Sequence, residues 1–317
     1  MEYSLPGTLG DKIFFAAFHS IAAFCCSGLS TLPGGFTNPL LVNKYGLHIG
    51  IAFLIIIGGI GFPIVFNYLR LARHLLANRI RVLAGLQQQF IHVPHIINLH
   101  TYIVMLSTLF LLTTGFLFYL FFEYHHTLAD LPLKGKLAEA FLGAVTPRTA
   151  GITSINTIDL SAPTLTLTAI LMIIGAGPMS TGGGLKVTTV FVAVMTTCSI
   201  IREKENVEVH KRELSPLTIK RAFAIIVIYF LLLACIVSIL SYTEGDISHF
   251  SLLFECVSAL STVGLTMGVT PELSMAGKIV IIITMLIGRI GLLTFFMTFR
   301  SSSKKKNYLY PKENVLM

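Results

Sequence analysis

Residues 141–153 read Phe-Leu-Gly-Ala-Val-Thr-Pro-Arg-Thr-Ala-Gly-Ile-Thr, a short apolar stretch followed by a small polar run centred on glycine. The same frame occurs three times, each with a phenylalanine ten residues before a glycine that is followed by Leu or Ile and then by Ser or Thr. The three glycines are Gly28, Gly151 and Gly264. Self-similarity of this kind predicts a fold built from internal repeats.

The composition indicates an integral membrane protein. Of the 317 residues, 54% are hydrophobic and only 12% are charged, and the mean hydropathy is +0.79. An ordinary soluble domain has about 25% charged residues, and several apolar runs here reach the length of about 20 residues that crosses a bilayer. We therefore predict an all-α integral membrane fold made of repeated helix–pore loop–helix units.

The positive charges predict the topology rather than a partner. The net charge is +8, and most Lys and Arg residues fall in residues 68–100, 199–221 and 300–317. These segments alternate with loops that carry few Lys or Arg, which is the positive-inside pattern of membrane proteins. We therefore expect these segments and the C-terminus in the cytoplasm, membrane lipids around the chain, and no nucleic acid as a partner. The cysteines lack metal-ligand spacing and predict no disulfide framework.

The repeats divide the chain into two complete units and one partial unit. Each complete unit is expected to hold a span, a short pore helix, a polar loop and a second span. The predicted divisions are a partial repeat over 1–72, a cytoplasmic linker over 73–94, a complete repeat over 95–200, a cytoplasmic linker over 201–216, a complete repeat over 217–300 and a basic cytoplasmic tail over 301–317.

The short helices are expected at 13–24, 137–145 and 250–260, and each is too brief to cross a bilayer. Full spans are predicted over 48–69, 102–122, 222–241 and 278–299. One further span, 163–200, is interrupted by the glycine-rich residues 175–186. Irregular backbone inside a membrane is tolerated only where protein buries it or where it lines an aqueous path, so these segments predict a pore.

The polar loops suit a dehydrated cation. Backbone carbonyl oxygens can replace the water shell of such an ion, and glycine permits the backbone angles that turn successive carbonyls toward one axis. A single loop of this composition would be interpreted as an ordinary extracellular turn, whereas three in one register favour a selectivity filter. The predicted ion-binding residues are Cys26, Ser27, Gly28, Thr149, Ala150, Gly151, Thr262, Val263 and Gly264, with potassium bound at the three glycines.

Four charged residues in or near these segments leave alternatives open. Arg289 lies within the last predicted span, where a charge costs about 2.5–3.5 kcal/mol on insertion scales. It is therefore either a positive barrier or latch below the filter, or a residue that forms a structural salt bridge or snorkels to the cytoplasmic edge. Lys186 is either functional or an interface anchor. Arg148 either tunes cation entry or pairs with a loop acid or carbonyl, and Glu255 is expected as a structural hydrogen-bond partner.

Several stretches carry a resemblance to a known family. They are residues 18–30, Thr-Pro-Arg-Thr-Ala-Gly-Ile-Thr (146–153), Gly-Pro-Met-Ser-Thr-Gly-Gly-Gly-Leu-Lys (177–186), Ser-Thr-Val-Gly-Leu-Thr (261–266) and Gly-Arg-Ile-Gly-Leu-Leu-Thr-Phe (288–295). With these motifs the chain resembles the Trk/Ktr/HKT superfamily of cation transporters, and most nearly the membrane subunits of bacterial Ktr potassium uptake systems. The resemblance covers essentially the whole chain.

This resemblance implies a multi-pass protein of the bacterial inner membrane whose pore has four repeats around one axis, with one filter glycine from each. It implies uptake of potassium, with or without dependence on sodium, no enzymatic activity, and no cofactor beyond the transported ions. It also implies a homodimer regulated by a cytosolic nucleotide-binding ring subunit. The residues of the implied gate are Gly177, Ser180, Thr181, Gly182, Gly183, Gly184, Lys186 and Arg289.

The sequence departs from the family pattern in two ways. Cys25 and Cys26 stand where the second filter usually has two asparagines. In addition, the first repeat and the leading span of the second repeat have no counterpart in these 317 residues, which predicts a fragment or a truncated gene product. The alternative function is therefore a nonconducting module that docks with an intact transporter subunit.

Overall fold

The structure, a computed structural model, describes residues 8–83, 98–204, 206–210, 212–291 and 295, and it confirms a mainly helical fold. Within these residues the helices are α1 (Leu9–Phe24), α2 (Pro39–Val42), α3 (Tyr45–Ile60), α4 (Phe62–Leu83), α5 (Leu99–Glu123), α6 (Leu133–Val145), α7 (Ala162–Ile173), α8 (Val187–Ile201), α9 (Pro216–Thr243), α10 (His249–Leu260) and α11 (Met275–Ile290). Between α8 and α9, the two-residue strands β1 (Glu208–Val209) and β2 (Arg212–Glu213) pair antiparallel.

Three short helices hold corresponding places in the chain. Helices α1, α6 and α10 have 16, 13 and 12 residues, and each ends directly before one of the glycine-centred loops. These lengths fall below the roughly 20 residues that cross a bilayer. The short helices predicted at 13–24, 137–145 and 250–260 are thus confirmed, although each begins one to four residues earlier than predicted.

Among the described residues, α5 and α9 are long and apolar enough to cross a membrane, and α3 and α4 meet the same test only when taken together. The prediction of a single span over 48–69 is wrong, because the chain bends by 102° between α3 and α4. Gly61 lies at the bend with φ 103°, and a Cβ there would collide with the carbonyl oxygen of Pro178. Helix α4 then continues to Leu83, past the predicted boundary at residue 72.

The interrupted span is confirmed as two helices, α7 and α8, separated by residues 174–186. At the base of this loop, Ile174 and Leu185 form an isolated parallel bridge. The last predicted span, 278–299, corresponds to α11, which is described as far as Ile290. Residues 84–97, which include the end of the predicted linker over 73–94, and the predicted tail over 301–317 lie outside the described residues.

The two complete repeats share a buried contact between the end of one helix and the start of another. Glu123 ends α5 and accepts hydrogen bonds from the backbone N–H and the hydroxyl of Ser161, directly before α7, at 2.9 and 2.7 Å. Glu244 follows α9 and accepts from the N–H of Ser274 at 3.0 Å and from its hydroxyl, directly before α11. A carboxylate at a helix N-terminus also interacts favourably with the helix dipole. Glu123 and Glu244 thus make the same kind of contact at corresponding places in the chain.

Two apolar clusters enclose the glycine-centred loops. One joins α7, α9, α10 and α11 around Tyr229 and Phe254, and it includes Val263. The other joins α1, α3 and α6 around Ile55, and it includes Ala150. The side chains of Ala150 and Val263, which directly precede Gly151 and Gly264, therefore pack into the protein.

Candidate functional site

The three glycine-centred loops repeat one unusual backbone conformation. Left-handed φ angles of 50°, 76° and 55° occur at Cys26, Thr149 and Thr262, and angles of 68°, 65° and 87° occur two residues later at Gly28, Gly151 and Gly264. Positive φ is uncommon outside glycine, so its recurrence at one register indicates a functional demand on the backbone. The intervening residue has no positive φ, and such alternation places successive N–H groups on one side of the chain and the carbonyls on the other.

The N–H groups of these loops turn back toward the short helices that precede them. The N–H of the residue before each glycine donates to a carbonyl oxygen at or near the end of that helix, from Ser27 to Ala22 at 3.0 Å, from Ala150 to Thr146 at 3.1 Å and from Val263 to Ser258 at 2.9 Å. Within the described residues, no backbone hydrogen bond ends on a carbonyl oxygen of residues 26–28, 149–151 or 262–264. These oxygens are therefore available as ligands.

Successive loops along the chain contact each other at their glycines. A Cβ placed on Gly28 would lie 3.1 Å from the carbonyl oxygen of Ala150, and one on Gly151 would collide with the carbonyl oxygen of Val263. A Cβ on Gly264 would find only the Cα of Gly151, at 4.0 Å. Each loop thus contacts the next one, and the described residues leave the far side of Gly264 open.

A cavity of about 360 Å³ lies beside the glycines, lined by all three loops. Its polar lining includes Ser30, Thr153, Asn156 and Thr266, and it contains no charged side chain among the lining residues. A cation in this cavity would meet hydroxyl, amide and backbone oxygen atoms, which suit a hard monovalent ion.

Each loop is fastened to its own pore helix by a polar side chain. In the first loop His19 Nε2 lies 2.9 Å from Ser30 Oγ. In the third loop the carboxylate of Glu255, at the same register as His19, accepts from the hydroxyls of Thr266 and Thr270. The structural role predicted for Glu255 is thus confirmed. These contacts fix the loop on the side away from the free carbonyls.

The second loop has a different anchor. Leucine occupies the register of His19 and Glu255, and Glu139, one turn earlier on α6, accepts from the hydroxyl of Ser154 instead. The other oxygen of Glu139 lies 2.7 Å from Nδ1 of His48 on α3, and both residues are buried. Sequence reasoning missed this pair, since the two residues are 91 positions apart and share no motif.

Residues 181–183 of the glycine-rich segment pack against the inner ends of the three loops, one residue for each loop. Thr181 Oγ1 lies 3.3 Å from Cys26 Sγ and 3.1 Å from the carbonyl oxygen of Phe24. A Cβ on Gly182 would collide with the hydroxyl of Thr149, and a Cβ on Gly183 would collide with that of Thr262. Glycine at positions 182 and 183 therefore leaves room for the two threonine hydroxyls, and the Thr181 hydroxyl contacts the cysteine sulfur.

Two basic side chains hold this segment in place. Lys186 Nζ donates to the carbonyl oxygen of Gly182 at 2.7 Å, and Arg289 Nη1 donates to that of Thr181 at 2.7 Å. Within the described residues neither forms an ion pair. The remaining predicted gate residues are also in this segment: Gly177 donates to Gly59 at 2.8 Å, Ser180 donates to Gly177 at 2.6 Å, and Gly184 has φ 69°.

Arg148 is not among the residues that line the cavity beside the three glycines. It is 6% exposed, and its Nη2 donates to Thr108 Oγ1 on α5 at 3.3 Å. No carboxylate among the described residues pairs with it. Its predicted pairing with a loop acid or carbonyl is therefore replaced by a contact with a helix hydroxyl.

The glycines near the end of α3 form the seat of the glycine-rich segment, which sequence reasoning attributed only to helix packing. The N–H of Thr181 donates to the carbonyl oxygen of Gly58 at 3.4 Å, and that of Phe62 donates to Met179 at 3.3 Å. The signal was present in the sequence as three glycines within four residues, Gly58, Gly59 and Gly61.

In the described part of the chain, no group of three or more His, Cys, Asp or Glu side chains could hold a metal ion. Any ion at the glycines would therefore be held by backbone oxygens and hydroxyls.

Comparison with known proteins agrees with this geometry. Residues 9–308 match the family model described as TrkH, cation transport protein. The chain belongs to the TrkH family of cation transport proteins. It is a family of membrane transporters rather than enzymes, and the resemblance seen in the sequence is confirmed.

Relatives of this chain include characterised uptake proteins. It is 35% identical to Ktr system potassium uptake protein B of Vibrio alginolyticus over 96% of this chain and 62% of the relative. It is 32% identical to potassium/sodium uptake protein NtpJ of Enterococcus hirae, over 96% of this chain and 64% of the relative. The chain thus spans less than two thirds of the length of these relatives.

The fold is also that of a solved family member. The potassium transporter TrkH from Vibrio parahaemolyticus superposes with a TM-score of 0.72 at 17% identity, over 90% of this chain and 58% of that one. This likeness supports the fold of the helices and loops described above.

Proposed function

We propose that this chain supplies three of the segments that line a potassium uptake path in a bacterial inner membrane. The observation that carries the proposal is the convergence of three loops with one backbone conformation and unbonded carbonyl oxygens. Pore-helix C-termini end beside each loop, and their partial negative charge favours a cation there. Potassium would be held at Gly28, Gly151 and Gly264.

The open side of Gly264 supports a path completed by a further segment. In a ring where each glycine faces the carbonyl before the next, Gly264 lacks such a neighbour among the described residues. We propose that a fourth filter segment fills this side, supplied by a longer polypeptide or by another subunit. The names of the relatives leave potassium alone and potassium with sodium as candidate ions.

The glycine-rich segment would act as the gate. Residues 181–183 cover the inner ends of all three loops, and Lys186 and Arg289 hold two of their carbonyl oxygens. Ion passage therefore requires this segment to move. Shortening residues 178–184 should raise potassium flux, measured in liposomes; equal or lower flux from a normally folded protein would contradict the gate.

The remaining assembly is proposed by analogy with the family. It comprises a homodimer in the membrane, surrounding lipids and a cytosolic nucleotide-binding ring subunit, with the C-terminus of this chain in the cytoplasm. The second candidate function is a nonconducting module that docks with an intact subunit, and the open side of Gly264 is the observation that favours it.

Growth of a strain without its own potassium uptake separates the two functions. The chain alone is compared with the same chain preceded by its upstream genomic sequence, and both are tested with a ring subunit present. Growth at low potassium by the extended form supports the uptake path. If neither form supports growth while both are present in the membrane, the docking module is favoured.

A further inference from the structure

One atom distinguishes the inner ends of the three loops. Cys26, Thr149 and Thr262 hold the same register and the same left-handed conformation, and they end in a sulfur and two hydroxyl oxygens. The side chain of Thr149 lies beside the Cys26 thiol. The three side chains are covered together by residues 181–183. We call Cys26, Thr149 and Thr262 the inner ring.

The two hydroxyls of the inner ring are poorly satisfied. Among the described residues, the buried Thr262 Oγ1 has no hydrogen-bond partner, and the fully buried Thr149 hydroxyl has only the Cys26 thiol beside it. A buried polar group without a partner costs roughly 1–3 kcal/mol. Both oxygens abut Gly182 and Gly183, so movement of the proposed gate would uncover them as ligands.

The sulfur changes which ions this ring prefers. Hydroxyl and carbonyl oxygens are hard ligands, whereas a thiolate selects soft cations. We propose that the inner ring is a binding site for soft, thiophilic monovalent cations of the silver class, which enter the potassium path and stop at Cys26. Silver would replace the thiol proton, which is released to water, and would form one S–Ag bond, with Thr149 and Thr262 as oxygen neighbours. This inference rests on the proposed function.

The site should be available only when the gate has moved. Cys26 is 4% exposed, and the Thr181 hydroxyl lies against its sulfur. Arg289 and Lys186, both positively charged, hold the covering residues and oppose a cation beneath them. Silver should therefore act faster on the variant shortened at 178–184 than on the unaltered protein.

Potassium flux with silver nitrate as the probe tests the site. The protein, with its upstream genomic sequence and a ring subunit, is reconstituted in liposomes in chloride-free nitrate buffer. Silver should abolish flux of the unaltered protein and of two controls, Cys25→Ser and Cys256→Ser, whereas silver should leave the flux of Cys26→Ser unchanged relative to the silver-free flux of that same variant. Block of Cys26→Ser equal to that of the unaltered protein would overturn the inference.

A second measurement does not depend on flux. In a protein whose Cys25, Cys198, Cys235 and Cys256 are replaced by serine, silver should protect Cys26 from maleimide labelling, followed by mass spectrometry of the intact chain. Normal flux without silver block or protection overturns the silver site alone. Protection of Cys26 in a folded protein without potassium flux supports the site as a metal-binding site and counts against the proposed function.

Discussion

The second and third glycine-centred loops have one backbone conformation but unequal surroundings. Gly151 is enclosed on both sides, by the first loop and by the carbonyl oxygen of Val263, whereas Gly264 has a neighbour on one side only. The carboxylates that anchor these two loops to their preceding helices also have different surroundings. Glu139 is buried against His48, whereas Glu255 holds two threonine hydroxyls of its own repeat. The comparison shows that the loop conformation is repeated, whereas the contacts that stabilise it differ from one loop to the next.

A methyl group at the two glycines tests this difference most strongly. Alanine in a left-handed conformation costs about 1–2 kcal/mol at either position, but only at Gly151 would the added Cβ also collide with a backbone carbonyl. We expect Gly151→Ala to abolish selective potassium flux. Gly264→Ala should still conduct, with potassium-over-sodium selectivity lowered about tenfold, the equivalent of about 1.4 kcal/mol.

The measurement is the ratio of potassium to sodium flux in liposomes, in the protein extended by its upstream sequence. A matched control is Gly245→Ala, because no atom lies within 4 Å of a Cβ at that position. Equal losses in Gly151→Ala and Gly264→Ala would mean that the open side of Gly264 is filled as tightly as that of Gly151 in the assembled protein.

The second-largest effect is expected when the carboxylates that anchor the loops, Glu139 and Glu255, are replaced. Glu139→Ala leaves His48 without its carboxylate partner in a fully buried position, and removal of one member of a buried pair costs about 3–5 kcal/mol. Glu255→Ala removes hydrogen bonds to a charged group, which are worth about 1.5–3 kcal/mol. We therefore expect the larger loss of thermal stability from Glu139→Ala.

Thermal unfolding in detergent checks this order. Glu272→Ala, at an exposed position, serves as a control, since substitutions on the surface change the free energy of unfolding by about 0.5 kcal/mol or less. A larger loss for Glu255→Ala than for Glu139→Ala would show that the anchor within one repeat outweighs the contact between α3 and α6.

The sequence predicted the features that repeat, and missed those that join distant segments. The spacing of Phe18, Phe141 and Phe254 located all three short helices and the loops that follow them, because the same pattern occurs three times in the sequence. The pairing of His48 with Glu139 occurs once, so no repeated sequence pattern could predict it. The bend at Gly61 was also missed, since apolar residues continue through it and the backbone that packs against Gly61, at Pro178, lies far along the chain.

The candidate site shows the same limit. The sequence predicted Thr149 and Thr262 as ion-binding residues, but only the three-dimensional arrangement shows that Thr181, Gly182 and Gly183 cover the three loops in order. Contacts of this kind depend on how α3, α7 and α11 approach each other. Hydrophobic pattern sets the length of a helix and its apolar face, and it carries no information on which loop will lie beneath it.

The smallest effect is expected from Glu244, the helix-end carboxylate of the third repeat. Hydrogen bonds from the hydroxyl and the N–H of Ser274 lower the pKa of Glu244 from its ordinary value. A lowered pKa in the folded protein means that the carboxylate stabilises the fold above its unfolded pKa, about 4.3, and that this contribution is lost as the pH falls through the folded pKa. The unaltered protein should therefore lose more thermal stability than Glu244→Gln between pH 6 and the acid range, about pH 3. Glu272→Gln, at an exposed site in the loop between α10 and α11, should show the same acid dependence as the unaltered protein. If Glu244→Gln showed the same acid dependence as the unaltered protein, the contact with Ser274 would contribute nothing to folding, and the helix-end carboxylates of the two repeats would differ in function despite their common geometry.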